Sequence, residues 1–165
     1  MRHNKKISGG YIHSLFFGIE DSLISTTGAL AGVAIGAGNK SLILLTALVI
    51  IAVSSTSMAA SEFISEETEE AVIKEKLPAN PLISALLIFV AYIVVGVMLL
   101  LPYLIWPYMG AIPVSIGLAL IGLTSLGILK GKLTHKSRLR GAVEVLIIGG
   151  IATGIGLVIG LIFKV

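Results

Sequence analysis

Five runs of about 20 mostly apolar residues, parted only by short polar breaks, take up nearly the whole of this 165-residue chain. A run of that length is what an α-helix needs to cross the hydrocarbon core of a bilayer. Composition agrees: 56% of the residues are hydrophobic and 13% charged, where a soluble domain carries about 25% charge. The expected fold is therefore all-α, a polytopic membrane protein forming a single transmembrane domain. Its five transmembrane helices are expected at about residues 12–37, 41–62 continuing to about 76, 82–102, 112–130 and 141–163. Little chain remains for a soluble catalytic domain, and nucleic-acid chemistry is excluded. Without cysteine there is no disulfide, thiolate metal site or cysteine nucleophile.

The first run follows the polar start MRHNKK and contains Glu20 and Asp21, where a signal peptide needs an unbroken apolar core. It is expected to be retained as a helix. With the N-terminus in the cytoplasm, ten of the twelve basic residues fall on the cytoplasmic side: Arg2, Lys5, Lys6, Lys74, Lys76, Lys130, Lys132, Lys136, Arg138 and Arg140. Only Lys40 and Lys164 fall outside, a strong positive-inside bias that puts the C-terminus on the opposite face. Tyr103, Trp106 and Tyr108 fit an aromatic belt at the outer interface. Pro78 and Pro81 precede the third helix, while Pro102, Pro107 and Pro113 are expected to bracket the turn between the third and fourth.

Polar groups placed where lipid should be carry the functional information. A mid-helix carboxylate costs about 2.5–3.5 kcal/mol on insertion scales, so Asp21 should face a cavity, a partner or an ion. At about 1.5 Å per residue it lies on the order of 15 Å deep. On the second helix Met58 is expected near that level, with Glu62 one turn closer to the cytoplasm. Ser25, Thr26 and Thr27 on the first helix and Ser54, Ser55, Thr56 and Ser57 on the second extend this candidate path outward, although such hydroxyls also bond back to helix carbonyls. Glu20 stands about 100° around the helix from Asp21 and can either help at the path or snorkel.

Beyond the membrane the second helix continues as an acidic segment, residues 66–80. Glu62, Glu66, Glu69 and Glu70 fall at i, i+4, i+7 and i+8 on one stripe, and crowding anions there costs stability unless a cation is shared. Glu66, Glu69 and Glu70 are thus candidates for collecting a divalent cation at the mouth of the path, against the simpler reading of a solvated helix end. Glu144, four residues after Arg140, is expected to pair with it. Gly28, Gly32 and Gly36 make a small-residue face on the first helix, as Gly150 with Gly154 and Gly156 with Gly160 do on the fifth. A first helix carrying both that face and Asp21 suggests an ion path near a dimer interface.

At these residues the chain resembles the vacuolar iron transporter family, which includes the yeast calcium-cross-complementer-like and plant nodulin-like members. The family's Gly-x-x-Asp-Gly helix is matched by FFGIEDSLISTTGALAGVAIGAG, with Gly18 and Asp21 in place. Its Ser-Met-x-x-Gly-Glu-Tyr-x-Ser signature is matched by SMAASEFIS, which keeps Ser57, Met58, Glu62 and Ser65. Ser22, Ser61 and Phe63 depart from the pattern, Glu20 stands where a neutral residue is common, and the acidic insertion is shortened. The resemblance implies a five-helix homodimer that exports ferrous iron or manganese from the cytosol in exchange for protons, with Asp21, Met58 and Glu62 as path residues. The membrane would be the cell membrane of a prokaryote, or a vacuolar or similar membrane of a eukaryote. Fe2+ or Mn2+ would be cargo, and no tightly bound cofactor is expected.

The residues fit such a cargo independently, because the Met58 thioether tilts an oxygen-rich site toward a first-row ion. Two other readings stay open: a proton-coupled carrier of another solute, and a non-transporting membrane scaffold or assembly subunit. No Ser–His pair, HExxH or paired catalytic aspartate motif is present, so an enzyme is not expected.

Overall fold

A computed structural model describes residues 2–135 and 137–164, with side chains from Gly9 onward. The topology signals expected from Lys136 and from the side chains of Arg2, Lys5 and Lys6 lie outside the described residues. Every regular element among the described residues is helical. The first rod consists of α1 (Arg2–Asp21), a π turn (Ser22–Thr26) and α2 (Thr27–Ala37). The residues flanking the π turn, Asp21 and Thr27, keep right-handed helical angles, so the rod runs on through it. Four further helices follow: α3 (Lys40–Ile73), α4 (Pro81–Ile105), α5 (Tyr108–Leu133) and α6 (Arg138–Ile162).

Helices α3 to α6 are each long and apolar enough to cross a membrane, which makes the chain a polytopic membrane protein. The first rod does not meet that measure as one helix, because the π turn divides it and Glu20 and Asp21 stand at the division. Helix α3 has 34 residues, about 51 Å of rise against a hydrocarbon core of about 30 Å. Its acidic last turns therefore project beyond the lipid.

Local chemistry sets the turns. Gly38 takes a left-handed φ of 58°, and the Asn39 side chain then accepts from the amides of Ser41 and Leu42 to start α3. Asn80 caps α4 in the same way, with Pro81 at the first helical position. Pro102 and Pro113, expected to bracket the turn between the third and fourth helices, lie within the last turns of α4 and the first turns of α5. Beyond Pro102 the last turn of α4 closes with the Trp106 amide donating to the Pro102 carbonyl at 2.9 Å. Tyr103 is also displaced from expectation: it is 1% exposed, packed with Leu30, Ile43 and Leu100 in the core, while Trp106 remains open to the surroundings. The proline-containing last turn carries Tyr103 inward because α4 does not stop before it.

The first rod packs against every other helix, α1 mainly on α4 and α2 mainly on α6. What admits it is a seam without side chains. Gly28, Gly32 and Gly36 face Ala152, Gly156 and Gly160, and a Cβ added at Gly32 would sit 2.5 Å from the Gly156 carbonyl oxygen. These three glycines, expected at a dimer seam, thus pack against α6 of their own chain. Gly150 and Gly154 have nothing within 4 Å of an added Cβ. Gly32→Ala should therefore force α2 and α6 apart and destabilise by about 1–3 kcal/mol, whereas Gly150→Ala should leave the fold alone. Thermal unfolding of the detergent-solubilised protein reads the difference, and equal melts for the two variants would remove the seam from the stabilising contacts.

Candidate ion path

The geometry around Asp21 starts from the π turn that follows it. A π turn hydrogen-bonds five residues back instead of four and is rare except as a short insertion, often at functional sites. Here the Ser25 hydroxyl donates to the Asp21 carbonyl oxygen at 2.7 Å, with Asp21 Oδ2 3.4 Å away. The Ser22 hydroxyl donates to the Tyr92 carbonyl at 2.9 Å, and the Tyr92 phenol meets Ser25 Oγ at 2.7 Å. Thr26 Oγ1 and Thr27 Oγ1 are buried without a partner. Asp21 itself is half-buried. Glu20 lines a separate groove of about 400 Å3 between α1 and α5, with His13, Phe16 and Lys130.

A second bond sets the register between the first rod and α3. Ser14 Oγ donates to Glu62 Oε1 at 2.8 Å. Counting from it, Asp21 lies about 10 Å further in, level with Ser55, and Met58 only about 6 Å. The Gly38–Asn39 hairpin yields the same register, since Ala37 and Lys40 bracket it. Met58 therefore sits about one turn nearer the Glu62 end than Asp21, and the Ser54–Ser57 stretch is level with Asp21 instead of with Ser25–Thr27. Residue counts taken from each helix's own start put Met58 level with Asp21 only because they leave out where the helices cross. Ser55 and Thr56 bond back to the Ala52 carbonyl at 3.2 and 2.7 Å, and Ser57 is exposed. Met58 is half-buried. Tyr92 escaped sequence reasoning; its signal was a lone phenol within the apolar run FVAYIVVG, which in lipid must find a hydrogen-bond partner.

The acidic stripe divides by direction. Glu62, Glu66 and Glu70 are half-buried, whereas Glu67 and Glu69 are exposed. Glu62 is held by Ser14, and Glu70 Oε1 accepts the Leu77 amide at 2.8 Å, tying the α3–α4 loop to the helix. Glu66 Oε2 is buried without a partner, as is Ser84 Oγ. Among the described residues no three His, Asp or Glu side chains gather closely enough to hold a metal ion. Glu144 pairs not with Arg140 but with Lys130 across the α5–α6 corner, at 3.9 Å between exposed side chains, a contact worth little.

Burial pushes the Glu66 carboxyl above its ordinary value of 4.5; the neighbouring Ser84 hydroxyl opposes this, and the charges of Glu62, Glu69 and Glu70 add to the rise. A carboxyl raised on folding contributes stability that is fully present below its unfolded value and is lost as pH rises through the folded one. Glu66→Gln removes that loss. The variant should melt above the parent at pH 7 and converge with it toward pH 4.5 in metal-free buffer. Equal melts at every pH would show that the carboxylate carries no burial cost.

No curated protein matches the chain. The sequence model of the VIT family matches it over residues 12–80 and 70–161. Those segments take in both the Asp21-bearing rod and the acidic end of α3, the two regions whose motifs carry the resemblance to vacuolar iron transporters. The chain belongs to the VIT family.

Proposed function

We propose that this protein exports a divalent first-row cation, Fe2+ or Mn2+, from the cytosol in exchange for protons. Family membership supports membrane metal-ion transport. The single observation that carries the finer reading is an ionisable side chain, Asp21, half-buried at a π turn in the rod that every other helix packs around. An acid at that depth is costly without a partner or an ion. In this reading the cation is gathered by Glu66, Glu69 and Glu70 on the projecting end of α3, passes Glu62 and Met58, and reaches Asp21. Ser25, Ser57 and Glu20 flank the route. The exposed Glu69 offers unspent oxygen for capture, while the Met58 thioether favours a softer ion over magnesium or calcium.

Carboxylates must be deprotonated to bind metal, so metal capture and proton release are one linked event. Reprotonation of the emptied site from the far side then drives exchange. Asp21 is only half-buried within one chain, which suits a homodimer in which two first rods contribute an Asp21 each. The N-terminus lies in the cytoplasm, as the distribution of Lys and Arg favours, and the protein resides in the cell membrane of a prokaryote or the vacuolar membrane of a eukaryote.

The test is Mn2+ and Fe2+ flux in reconstituted vesicles under an imposed pH gradient. Asp21→Asn should abolish flux while the solubilised protein keeps its melting temperature and oligomeric size; normal flux would end the path assignment. The triple variant Glu66→Gln, Glu69→Gln, Glu70→Gln should raise the half-saturating metal concentration with little change in maximal rate, because Gln at position 70 can still cap Leu77. Ionic strength is held constant, since at 0.1 M salt screens charge over about 10 Å. An unchanged concentration dependence would return the stripe to a solvated helix end. Absence of flux in the parent protein would favour the scaffold reading.

A further inference from the structure

The π turn is fastened at both ends to one residue of another helix. Ser22 and Ser25, three apart in the turn, both bond to Tyr92 of α4, one to its backbone carbonyl and the other to its phenol. Tyr92 is 0% exposed, so it does not open onto a route for ions. We propose that Tyr92 is the positioning residue for Asp21: it pins the wide turn to α4 and, through Ser25, whose proton goes chiefly to the Asp21 carbonyl, holds the backbone from which the Asp21 carboxylate projects. This rests on the transport reading above.

The hydroxyl protons fix the sense of the chain. Ser25 has one proton and lies within reach of two Asp21 oxygens, the carbonyl at 2.7 Å and Oδ2 at 3.4 Å. A backbone carbonyl only ever accepts, and so does an ionised carboxylate. Ser25 therefore donates to Asp21, and the phenol, 2.7 Å away, donates to Ser25. A hydroxyl that accepts a hydrogen bond becomes a better donor. The phenol thus tightens the hold of Ser25 on Asp21. The Ser22 bond adds a backbone anchor one residue beyond the carboxylate. A rare, wide turn next to an intramembrane acid persists because both of its serines are engaged on the same neighbour.

A purely structural interhelix bond makes the natural comparison. Ser115 is buried and donates to the Leu99 carbonyl of α4 at 3.1 Å, the same kind of contact away from the π turn. The experiment uses the full chain in vesicles, with Mn2+ uptake at a fixed pH gradient. Tyr92→Phe and Ser25→Ala should each raise the half-saturating Mn2+ concentration about tenfold, equivalent to about 1.4 kcal/mol, with maximal rate little altered. The double variant should be no worse than either alone, since they act in one chain. Ser25→Thr, which keeps the hydroxyl, should restore the parent value, and Ser115→Ala should not move it. In parallel, the labelling rate of Asp21 by a hydrophobic carbodiimide, followed by mass spectrometry in detergent without metal, should change several-fold and equally in Tyr92→Phe and Ser25→Ala. Unchanged concentration dependence and labelling in both variants, additive effects, or equal effects from Ser115→Ala would overturn the assignment. Absence of Mn2+ uptake by the parent protein overturns the transport reading alone, and the labelling arm still decides whether Tyr92 and Ser25 hold Asp21.

Discussion

The backbone contact between α2 and α6 is what the rest of the bundle hangs on. Two membrane helices gain nothing from apolar burial against each other that lipid does not already offer, so close approach must come from van der Waals packing. Gly28, Gly32 and Gly36 against Gly156 and Gly160 provide it, with carbonyl oxygens lying where side chains would otherwise stand. That contact draws the first rod into the middle of the molecule. A rod in the middle can carry an acid, because its neighbours then cover part of that acid.

Inside the bundle, polar groups are handled almost entirely by hydroxyls. Ser22, Ser25 and Ser115 reach carbonyls or a phenol on other turns or helices, while Ser55, Thr56 and Thr124 bond back within their own. The first group locks helices to one another and the second only removes a donor from lipid. Tyr92 belongs to the first group twice over. Its bonds converge on the π turn, so two hydroxyl contacts between helices coincide with the bundle's most irregular backbone. That coincidence is physical economy: a wide turn loosens the helix ladder, and the side-chain donors stand where the ladder is loosest.

The projecting end of α3 works differently because water reaches it. Three of its glutamates are half-buried, and two of these already serve the chain, Glu62 on Ser14 and Glu70 on the loop amide of Leu77. Acidity here is partly structural. Glu66 lies half-buried beside Ser84 and Glu69 is exposed, which makes the stripe a graded surface instead of a uniform one.

Hydropathy and length alone made the helical membrane architecture legible, because a run of about 20 apolar residues has few other stable forms. The projecting acidic end of α3 was legible too, because its run of glutamates breaks the apolar pattern, whereas the caps at Asn39 and Asn80 came to light only with the structure. Asp21 also stood out unaided, since an acid in an apolar run is conspicuous wherever the run folds. What faces what was not legible. A glycine stripe reads the same whether its partner is α6 or a second copy, and only the path of the chain in space assigned Gly28, Gly32 and Gly36 to the internal seam. The register of Met58 against Asp21 depended on where two helices cross, which the Ser14–Glu62 bond settles and residue counting from each helix start does not. The π turn and its attachment to Tyr92 arise from contacts 67 and 70 residues apart in the chain, and no local pattern encodes a partner at that separation.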